Sequence, residues 1–181
     1  MFSKIFGEVN VNVLCGRFQP FHKGHLISTR LMKLHNDLPV VLIVVRGNKK
    51  NKKTVFDENI IFNMLDEILE FYPHIIGYTK IHSMSFDKEL FPAMRPEWEP
   101  ILLGAGEDRI DDYQRQIEWI KNKEDFIVKK NFSSFKLPRK YSATEVRKSI
   151  IEDNIFKFKT MMPKILYSYY NQLKENMLKN E

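Results

Sequence analysis

Residues 16–25 read GRFQPFHKGH and carry the strongest local pattern in this chain. They follow a valine-rich apolar segment, Val9–Cys15, which is typical of a buried strand. They run into Lys23–His35, where apolar residues recur at helical spacing. The sequence therefore predicts a strand, a glycine- and proline-containing turn and a helix, with two histidines at the start of that helix.

The same alternation continues along the chain. Further strands are predicted at Pro39–Val45, His74–Met84, Glu99–Ala105 and Asp125–Val128. Further helices are predicted at Asp57–Phe71 (N-cap Asp57), Asp111–Lys121, Ser142–Ile151 (N-cap Ser142) and Met162–Lys179. Alternating strands and helices indicate an α/β fold with right-handed crossovers. We expect a Rossmann-like, doubly wound parallel sheet with a C-terminal helix, and a ligand site beyond the carboxyl ends of its strands.

The size and composition of the chain favour one globular domain. It has 181 residues, of which 43% are hydrophobic and 29% charged. This length suits a single domain, residues 1–181, and the balance is unlike that of disordered or membrane-embedded proteins.

The apolar segments and the cysteine content suggest a cytoplasmic protein. The longest apolar stretch, Leu38–Val45, is far shorter than the ~20 residues of a membrane span. Met1–Gly7 lacks the pattern of a secretory signal. The single cysteine, Cys15, excludes an intrachain disulfide and a multi-cysteine zinc site.

The net charge of +6 has two interpretations, a nucleic-acid surface or a site for small anions. The charge is concentrated only in Gly47–Lys53 and is otherwise scattered. We therefore expect small anionic ligands, with no nucleic-acid or membrane partner.

The turn has the chemistry of a phosphate site. Gly16 lets backbone amides approach a ligand closely. His22 and His25 straddle the helix start, where free N–H groups and the helix dipole favour a phosphate. Arg17 and Lys23 add side-chain donors.

An isolated H-x-G-H has a plainer interpretation, in which two surface histidines flank a turn glycine, Gly24. The preceding strand, the following helix and the neighbouring arginine favour phosphate binding instead. Metal binding is disfavoured because no third protein ligand accompanies the histidines at a familiar spacing.

The stretch GRFQPFHKGH resembles the signature of the H-x-G-H nucleotidyltransferase superfamily. It is most similar to the nicotinamide-mononucleotide adenylyltransferases of the archaeal and bifunctional bacterial kind. The resemblance implies a nucleotidyltransferase-type fold in which this turn holds the triphosphate of ATP. The residues assigned to that role by resemblance are His22, His25, Gly16, Arg17, Phe18 and Gly24.

A second motif lies late in the chain, where residues 141–147 read YSATEVR. The family pattern is I-S-S-T-x-x-R, so Ser142, Thr144 and Arg147 match while the first and third positions depart. The resemblance assigns Ser142 and Thr144 to ATP binding and Arg147 to catalysis. The alternative is a capping box of Ser142 and Glu145 with a solvated Arg147.

Between the motifs, Leu103–Arg109 resembles the family segment that meets adenosine at the end of a strand. Gly104 and Gly106 would allow backbone contact, and Glu107 or Asp108 could accept from a ribose hydroxyl. The alternative is an acidic helix start stabilised by the helix dipole.

The acceptor side is less well defined. By resemblance, Phe56 is expected near the acceptor. Lys53 belongs to a basic loop that departs from the family pattern, and it is expected near the acceptor because the acceptor is anionic. Phe86 and Phe91 are candidates to stack on nicotinamide, or to lie in the core. The final helix is expected to serve packing and a contact with a second copy of the chain.

The implied reaction is attack of an acceptor phosphate oxygen on the α-phosphorus of ATP, with pyrophosphate leaving. A phosphate nucleophile is already ionised at pH 7, so positioning and charge stabilisation carry the catalysis. His22, His25, Lys23, Arg17 and Arg147 are expected to do this, with Mg²⁺ held mainly by phosphates and water. Nicotinamide mononucleotide (NMN) is the expected acceptor.

Three alternatives stay open. The acceptor could be pantetheine phosphate, FMN, or a sugar phosphate with CTP as donor. The chain could instead bind nucleic acid through its basic loop, or sense nucleotides without catalysis.

Overall fold

The structure is a computed structural model that describes residues 9–46, 55–123, 132–138 and 140–179. The strands are β1 (Val9–Gly16), β2 (Val40–Val45), β3 (Ile75–Ile81), β4 (Trp98–Gly106) and β5 (Ser133–Leu137). The helices are α1 (Lys23–Asn36), α2 (Glu58–Phe71), α3 (Phe91–Ala93), α4 (Ile110–Lys121), α5 (Ala143–Ile151), α6 (Ile155–Met161) and α7 (Tyr170–Lys179). A π-helical segment, Phe86–Leu90, precedes α3, and a 3₁₀ segment, Lys164–Tyr169, precedes α7.

All five strands pair in parallel in the order β3-β2-β1-β4-β5. Leu14 of β1 lies opposite Leu42 of β2 on one side and Gly104 of β4 on the other. The chain winds outward from β1 to β3, then returns past β1 to add β4 and β5. This reversal of strand order is the hallmark of a doubly wound sheet, so the predicted α/β architecture is confirmed.

The first four strands and the helices α1, α2, α4 and α5 lie within a few residues of their predicted positions. Asp57 occupies the N-cap position of α2 as expected, but its side chain makes no capping hydrogen bond. The strand predicted at Asp125–Val128 lies outside the described residues. The fifth strand, β5, was not predicted, because SSFKL is a polar edge strand without an apolar run.

The prediction of one helix over Met162–Lys179 is wrong. Met162 has an extended backbone before Pro163, a conformation that proline imposes on its predecessor. The helix α6 ends there, and a 3₁₀ segment leads into the shorter α7. The helix α6, capped by Asn154, was missed because its seven residues are too few for a clear periodicity.

The tyrosines of this region make contacts within the chain. Tyr167 donates to the Lys159 carbonyl, Tyr169 to the Glu67 carboxylate and Tyr170 to Asp153. The expected contact with a second copy stays a prediction.

The described residues form two compact units. The sheet unit comprises residues 9–16, 28–46, 74–123 and 132–138, and the helical unit comprises residues 17–27, 55–73 and 140–179. The sheet unit is built around a cluster of buried apolar side chains that includes Val13, Ile43, Phe91, Leu103 and Ile117. The expectation of a single domain stays a prediction.

Within the described part of the chain, no helix has the length and apolar character that a membrane span requires.

Candidate active site

The turn that joins β1 to α1 belongs to the helical unit and is built around aromatic rings. Phe18 has φ 50, a left-handed backbone that non-glycine residues rarely adopt. Its ring is 1% exposed and lies 5.7 Å from that of Phe21 and 4.8 Å from that of His25. Burial of these rings offsets the backbone strain, and strain of this kind clusters at functional sites.

The two histidines are held by the backbone of their own turn. The Gly24 amide donates to His22 Nδ1 at 3.1 Å, and the His22 amide donates to His25 Nδ1 at 3.2 Å. The rings stack with their centroids 3.8 Å apart. Because both Nδ1 atoms accept, each neutral imidazole carries its proton on Nε2. Each ring is thus fixed as an Nε2–H donor.

The environment keeps His25 uncharged. Burial lowers the pKa of His25 well below its ordinary range, and a positive charge on His22 would lower it further. Protonation of His25 would also break its Nδ1 bond to the backbone. The turn therefore offers a neutral donor at His25 near pH 7.

Gly24 is required by the His22 ring. A Cβ at this position would lie 2.8 Å from His22 Cε1 and 2.9 Å from His22 Nδ1, closer than any real contact. It would also lie 3.3 Å from the Cβ of Tyr141, the residue that opens the second motif. Gly24 therefore leaves room for the imidazole of His22.

Arg147 joins the second motif to the first. Its Nη1 donates to the Gln19 carbonyl at 2.8 Å, and its Nη2 donates to Thr144 Oγ1 at 3.1 Å. The side chain is half-buried, and burial lowers its pKa, although a guanidinium stays charged near neutral pH. Arg147 is therefore not the solvated arginine of the alternative interpretation.

Ser142 caps α5, as that alternative expected. Its hydroxyl oxygen accepts from the Glu145 amide at 3.2 Å and lies 3.1 Å from the Glu145 carboxylate. Capping leaves the start of α5 ordered beside Thr144 and Arg147. The assignment of Ser142 and Thr144 to ATP stays a prediction.

Lys23 is engaged elsewhere in the helical unit. Its ammonium donates to the carbonyls of Lys159 and Thr160, at 3.3 and 2.8 Å, near the C-terminal end of α6. A cation there is favoured by the helix dipole. This contact favours a structural role over the expected phosphate contact. Arg17 is exposed and, among the described residues, makes no ion pair.

Phe56 and Lys53 were expected near the acceptor. The Phe56 ring is 1% exposed, so its side chain belongs to the core of the helical unit. Lys53 and the rest of the basic loop up to Thr54 lie outside the described residues. The acceptor-side assignments stay predictions.

The glycines among the remaining candidates belong to the sheet unit. Gly16 is the last residue of β1 and pairs with Val44. A Cβ on Gly104 would lie 2.6 Å from Met32 Sδ and 2.7 Å from Leu137 Cδ1, so core packing already requires glycine there.

The acidic and aromatic candidates of the sheet unit lie in different surroundings. Glu107 is exposed and pairs with Lys136 at 2.6 Å, which lowers the Glu107 pKa. Asp108 lies in the turn before α4, whose first-turn acids are Asp111 and Asp112. Phe86 and Phe91 lie in the core, the alternative that the sequence left open. The sheet-unit assignments stay predictions.

Gln19 and Asn176, which were not predicted as site residues, connect segments of the helical unit that are distant in the sequence. The Gln19 side chain bonds the backbone of Phe56, and the Asn176 side chain bonds Asp57. Asn176 could have been identified from the sequence, because it is a polar residue on the apolar stripe of α7 beside Leu173 and Met177. Gln19 carries no such signal beyond its place in the motif.

No group of three histidine, cysteine or acidic side chains that could hold a metal ion occurs among the described residues.

Comparisons with known proteins bear on the fold and the family of the chain. A search of curated proteins gives no match. Plasmodium falciparum nicotinic acid mononucleotide adenylyltransferase complexed with NaAD is 18% identical, with a TM-score of 0.59 over 96% of this chain and 99% of that one. Its complex with APC gives 17% and 0.57, with the same coverage.

Thermotoga maritima TmcAL bound with alpha-thio ATP gives 12% identity and a TM-score of 0.58 over 91% of this chain and 56% of that one. At these identities the likeness concerns the fold, and it confirms the predicted nucleotidyltransferase-type α/β fold with its C-terminal helix. Residues 13–149, which include both motifs, match the cytidylyltransferase-like family. The chain therefore belongs to the cytidylyltransferase-like family.

Proposed function

We propose that this chain is an adenylyltransferase that transfers AMP from ATP to nicotinamide mononucleotide, giving NAD and pyrophosphate. The observation that carries the proposal is the contact between the two motifs. Arg147 Nη1 lies 2.8 Å from the Gln19 carbonyl, three residues before His22. A guanidinium and two imidazole donors are thereby gathered in one unit, as a polyphosphate requires.

The choice of a pyridine nucleotide as acceptor rests on resemblance. The GRFQP lead-in is most similar to NMN adenylyltransferases, and the Plasmodium falciparum neighbour is named for nicotinic acid mononucleotide. The acid and the amide differ only in the group on the pyridine ring. Nicotinic acid mononucleotide is therefore the first alternative acceptor to test.

The proposed reaction uses hydrogen-bond donors of His22, His25 and Arg147, which the fold already holds in position. The acceptor phosphate attacks the α-phosphorus while the bond to the pyrophosphate oxygen breaks, so charge builds on the leaving phosphates. Nε2–H of His22 and of His25 can donate to that charge without rotating, because the turn amides hold both Nδ1 atoms. Arg147 adds a permanent positive charge. Preorganised donors of this kind avoid reorganisation during the reaction.

Mg²⁺ belongs to the proposal as a companion of ATP. The described residues offer no carboxylate cage, and Mg²⁺ in such sites is commonly held by substrate phosphates and water. The ion would neutralise phosphate charge, and the residues named above would orient the phosphates.

The test is incubation of the protein with ATP, Mg²⁺ and NMN, with NAD followed by mass and pyrophosphate by a coupled assay. Parallel reactions replace NMN with nicotinic acid mononucleotide, FMN or pantetheine phosphate, and one pairs CTP with a sugar phosphate. Formation of NAD supports the proposal. Product with another acceptor only would keep the reaction class and replace the substrate.

Two further outcomes would overturn the reaction class. ATP binding without pyrophosphate release in any reaction would indicate a nucleotide sensor. Salt-dependent binding to plain duplex DNA, with no nucleotide binding, would indicate a nucleic-acid-binding protein.

A further inference from the structure

The side chain of Gln19 has no role of its own in the proposed reaction. Its side chain is 2% exposed. The Phe56 amide donates to Gln19 Oε1 at 2.7 Å, and Gln19 Nε2 donates to the Phe56 carbonyl at 3.3 Å. The Gln19 amide thus makes one hydrogen bond as acceptor and one as donor with the same backbone residue, as a residue of a neighbouring β-strand would. It fixes the Gln19 side chain relative to the segment that leads into α2.

Asn176 holds the next residue of that segment. The Asp57 amide donates to Asn176 Oδ1 at 3.0 Å, and Asn176 Nδ2 donates to Asp57 Oδ2 at 2.6 Å. Asn176 is 6% exposed and sits on the buried stripe of α7. A polar side chain buried on such a stripe costs free energy unless its hydrogen bonds are made, so this contact is specific.

These two contacts and the hydrogen bond between Arg147 and the Gln19 carbonyl form one path of hydrogen bonds and covalent bonds. It runs from Asn176 to Asp57, through the peptide bond to Phe56, across to the side chain of Gln19, and from the Gln19 carbonyl to Arg147. Every member belongs to the helical unit. The path ends on the guanidinium that the proposed reaction requires.

We infer that Gln19 and Asn176 are positioning residues that set the location of the Arg147 guanidinium relative to the two histidines. This inference rests on the proposed function, because the location of Arg147 matters only if the turn binds a polyphosphate. The physical reason is that a single hydrogen bond to a backbone carbonyl orients a guanidinium only if the carbonyl is itself fixed. Gln19 supplies that fixation through its own side chain, and Asn176 holds the segment on which Gln19 depends.

The test exchanges the two partners of the Asn176–Asp57 contact. Asn176→Asp alone places two carboxylates against each other and removes the donor. The double variant Asn176→Asp with Asp57→Asn restores one amide and one carboxylate. We expect the single change to lower kcat by about tenfold and to raise the KM for ATP, because small displacements of a positioning group are costly. The double variant should recover most of both constants.

The matched control is Asn154→Ala, which removes the side-chain cap of α6 in the same unit without touching the path. Each variant is assayed well below its melting temperature, and rates are normalised to the folded fraction. A purely structural role predicts that Asn176→Asp behaves like Asn154→Ala, with kcat and KM unchanged after normalisation. That result, or a double variant no better than the single one, would overturn the inference.

Gln19→Leu removes both contacts with Phe56 and is expected to lower kcat by about 10² while preserving the far-ultraviolet spectrum. If that variant does not fold, the Asn176 exchange still decides. The ATP dissociation constant is measured by calorimetry for each variant. This constant separates the two proposals. Wild-type protein that binds ATP but makes no dinucleotide would contradict the proposed function. The ATP affinities of the variants would then still test whether Gln19 and Asn176 position Arg147.

Discussion

Gly24 in the histidine turn and Gly104 at the end of β4 present the same local requirement in two different settings. At both positions a Cβ would come closer than 3.0 Å to a neighbouring side chain. At Gly24 the neighbour is the His22 imidazole, which is partly fixed by the Gly24 amide. At Gly104 the neighbours are Met32 and Leu137 of the sheet unit.

The difference shows that a glycine in a motif does not by itself indicate a ligand. Gly24 determines the position of the His22 imidazole, so a substitution there should lower activity more than stability. Gly104 is already explained by packing, and a substitution there should act on stability first. The following predictions test that contrast, from the largest expected effect to the smallest.

Removal of a histidine donor should have the largest effect. His25→Ala is expected to lower kcat by about 10² or more, as loss of one preorganised donor does elsewhere. The control is His35→Ala, which removes an exposed histidine from the same helix. Steady-state kinetics with ATP and the acceptor make the measurement. Unchanged turnover in folded His25→Ala would remove this residue from the site.

Arg147→Lys should have the next largest effect. A lysine ammonium cannot reproduce the two directed contacts that the guanidinium makes with Gln19 and Thr144. We expect kcat/KM to fall by about 10- to 100-fold, since a hydrogen bond to a charged group is worth ~1.5–3 kcal/mol. Arg115→Lys on the exposed face of α4 serves as control. Near-normal kcat/KM in Arg147→Lys would contradict the proposed role.

The two glycine variants test the contrast directly. Gly24→Ala should displace the His22 ring and lower kcat by about tenfold, less than removal of a donor. Gly104→Ala should overpack the sheet unit and cost ~1–3 kcal/mol of unfolding free energy. Urea unfolding and kinetics are measured on both. If Gly104→Ala mainly raises the KM for ATP at little cost in stability, Gly104 is a nucleotide contact and the contrast fails.

Acid should have the smallest effect. The His25 pKa is lowered in the folded state from an ordinary value near 6.5. The unfolded chain therefore binds more protons below that pH, so this stabilising contribution is complete above about pH 6.5 and is lost as the pH falls.

We expect the melting temperature of the wild-type protein to decrease as the pH is lowered from about 6.5, and we expect this decrease to be smaller in His25→Asn. His74 of the sheet unit also has a lowered pKa, through burial and then through Arg30 and Lys33, so some pH dependence should remain. An identical pH profile in the variant and wild type would show that His25 is not buried in its neutral form.

Much of the fold could be read from local patterns. The strand β2 (VVLIVV) is a continuous apolar run, because a strand buried on both faces of a parallel sheet needs no alternation, and β1, β3 and β4 are also rich in apolar residues. The polar edge strand β5 and the broken C-terminal helix were not predicted. Their limits depend on pairing with β4 and on Pro163.

For the candidate site, the sequence by itself determined which residue types stand at the two helix starts: paired imidazoles at one and a guanidinium at the other. It could do so because the strand, the turn and the helix are all local in the chain. Only the tertiary structure decided that Arg147 reaches Gln19, that Lys23 reaches the end of α6 instead of staying free for phosphate, and that Asn176 holds Asp57. These contacts join residues 119 to 137 positions apart, and no local pattern specifies which distant backbone group a buried polar side chain will meet.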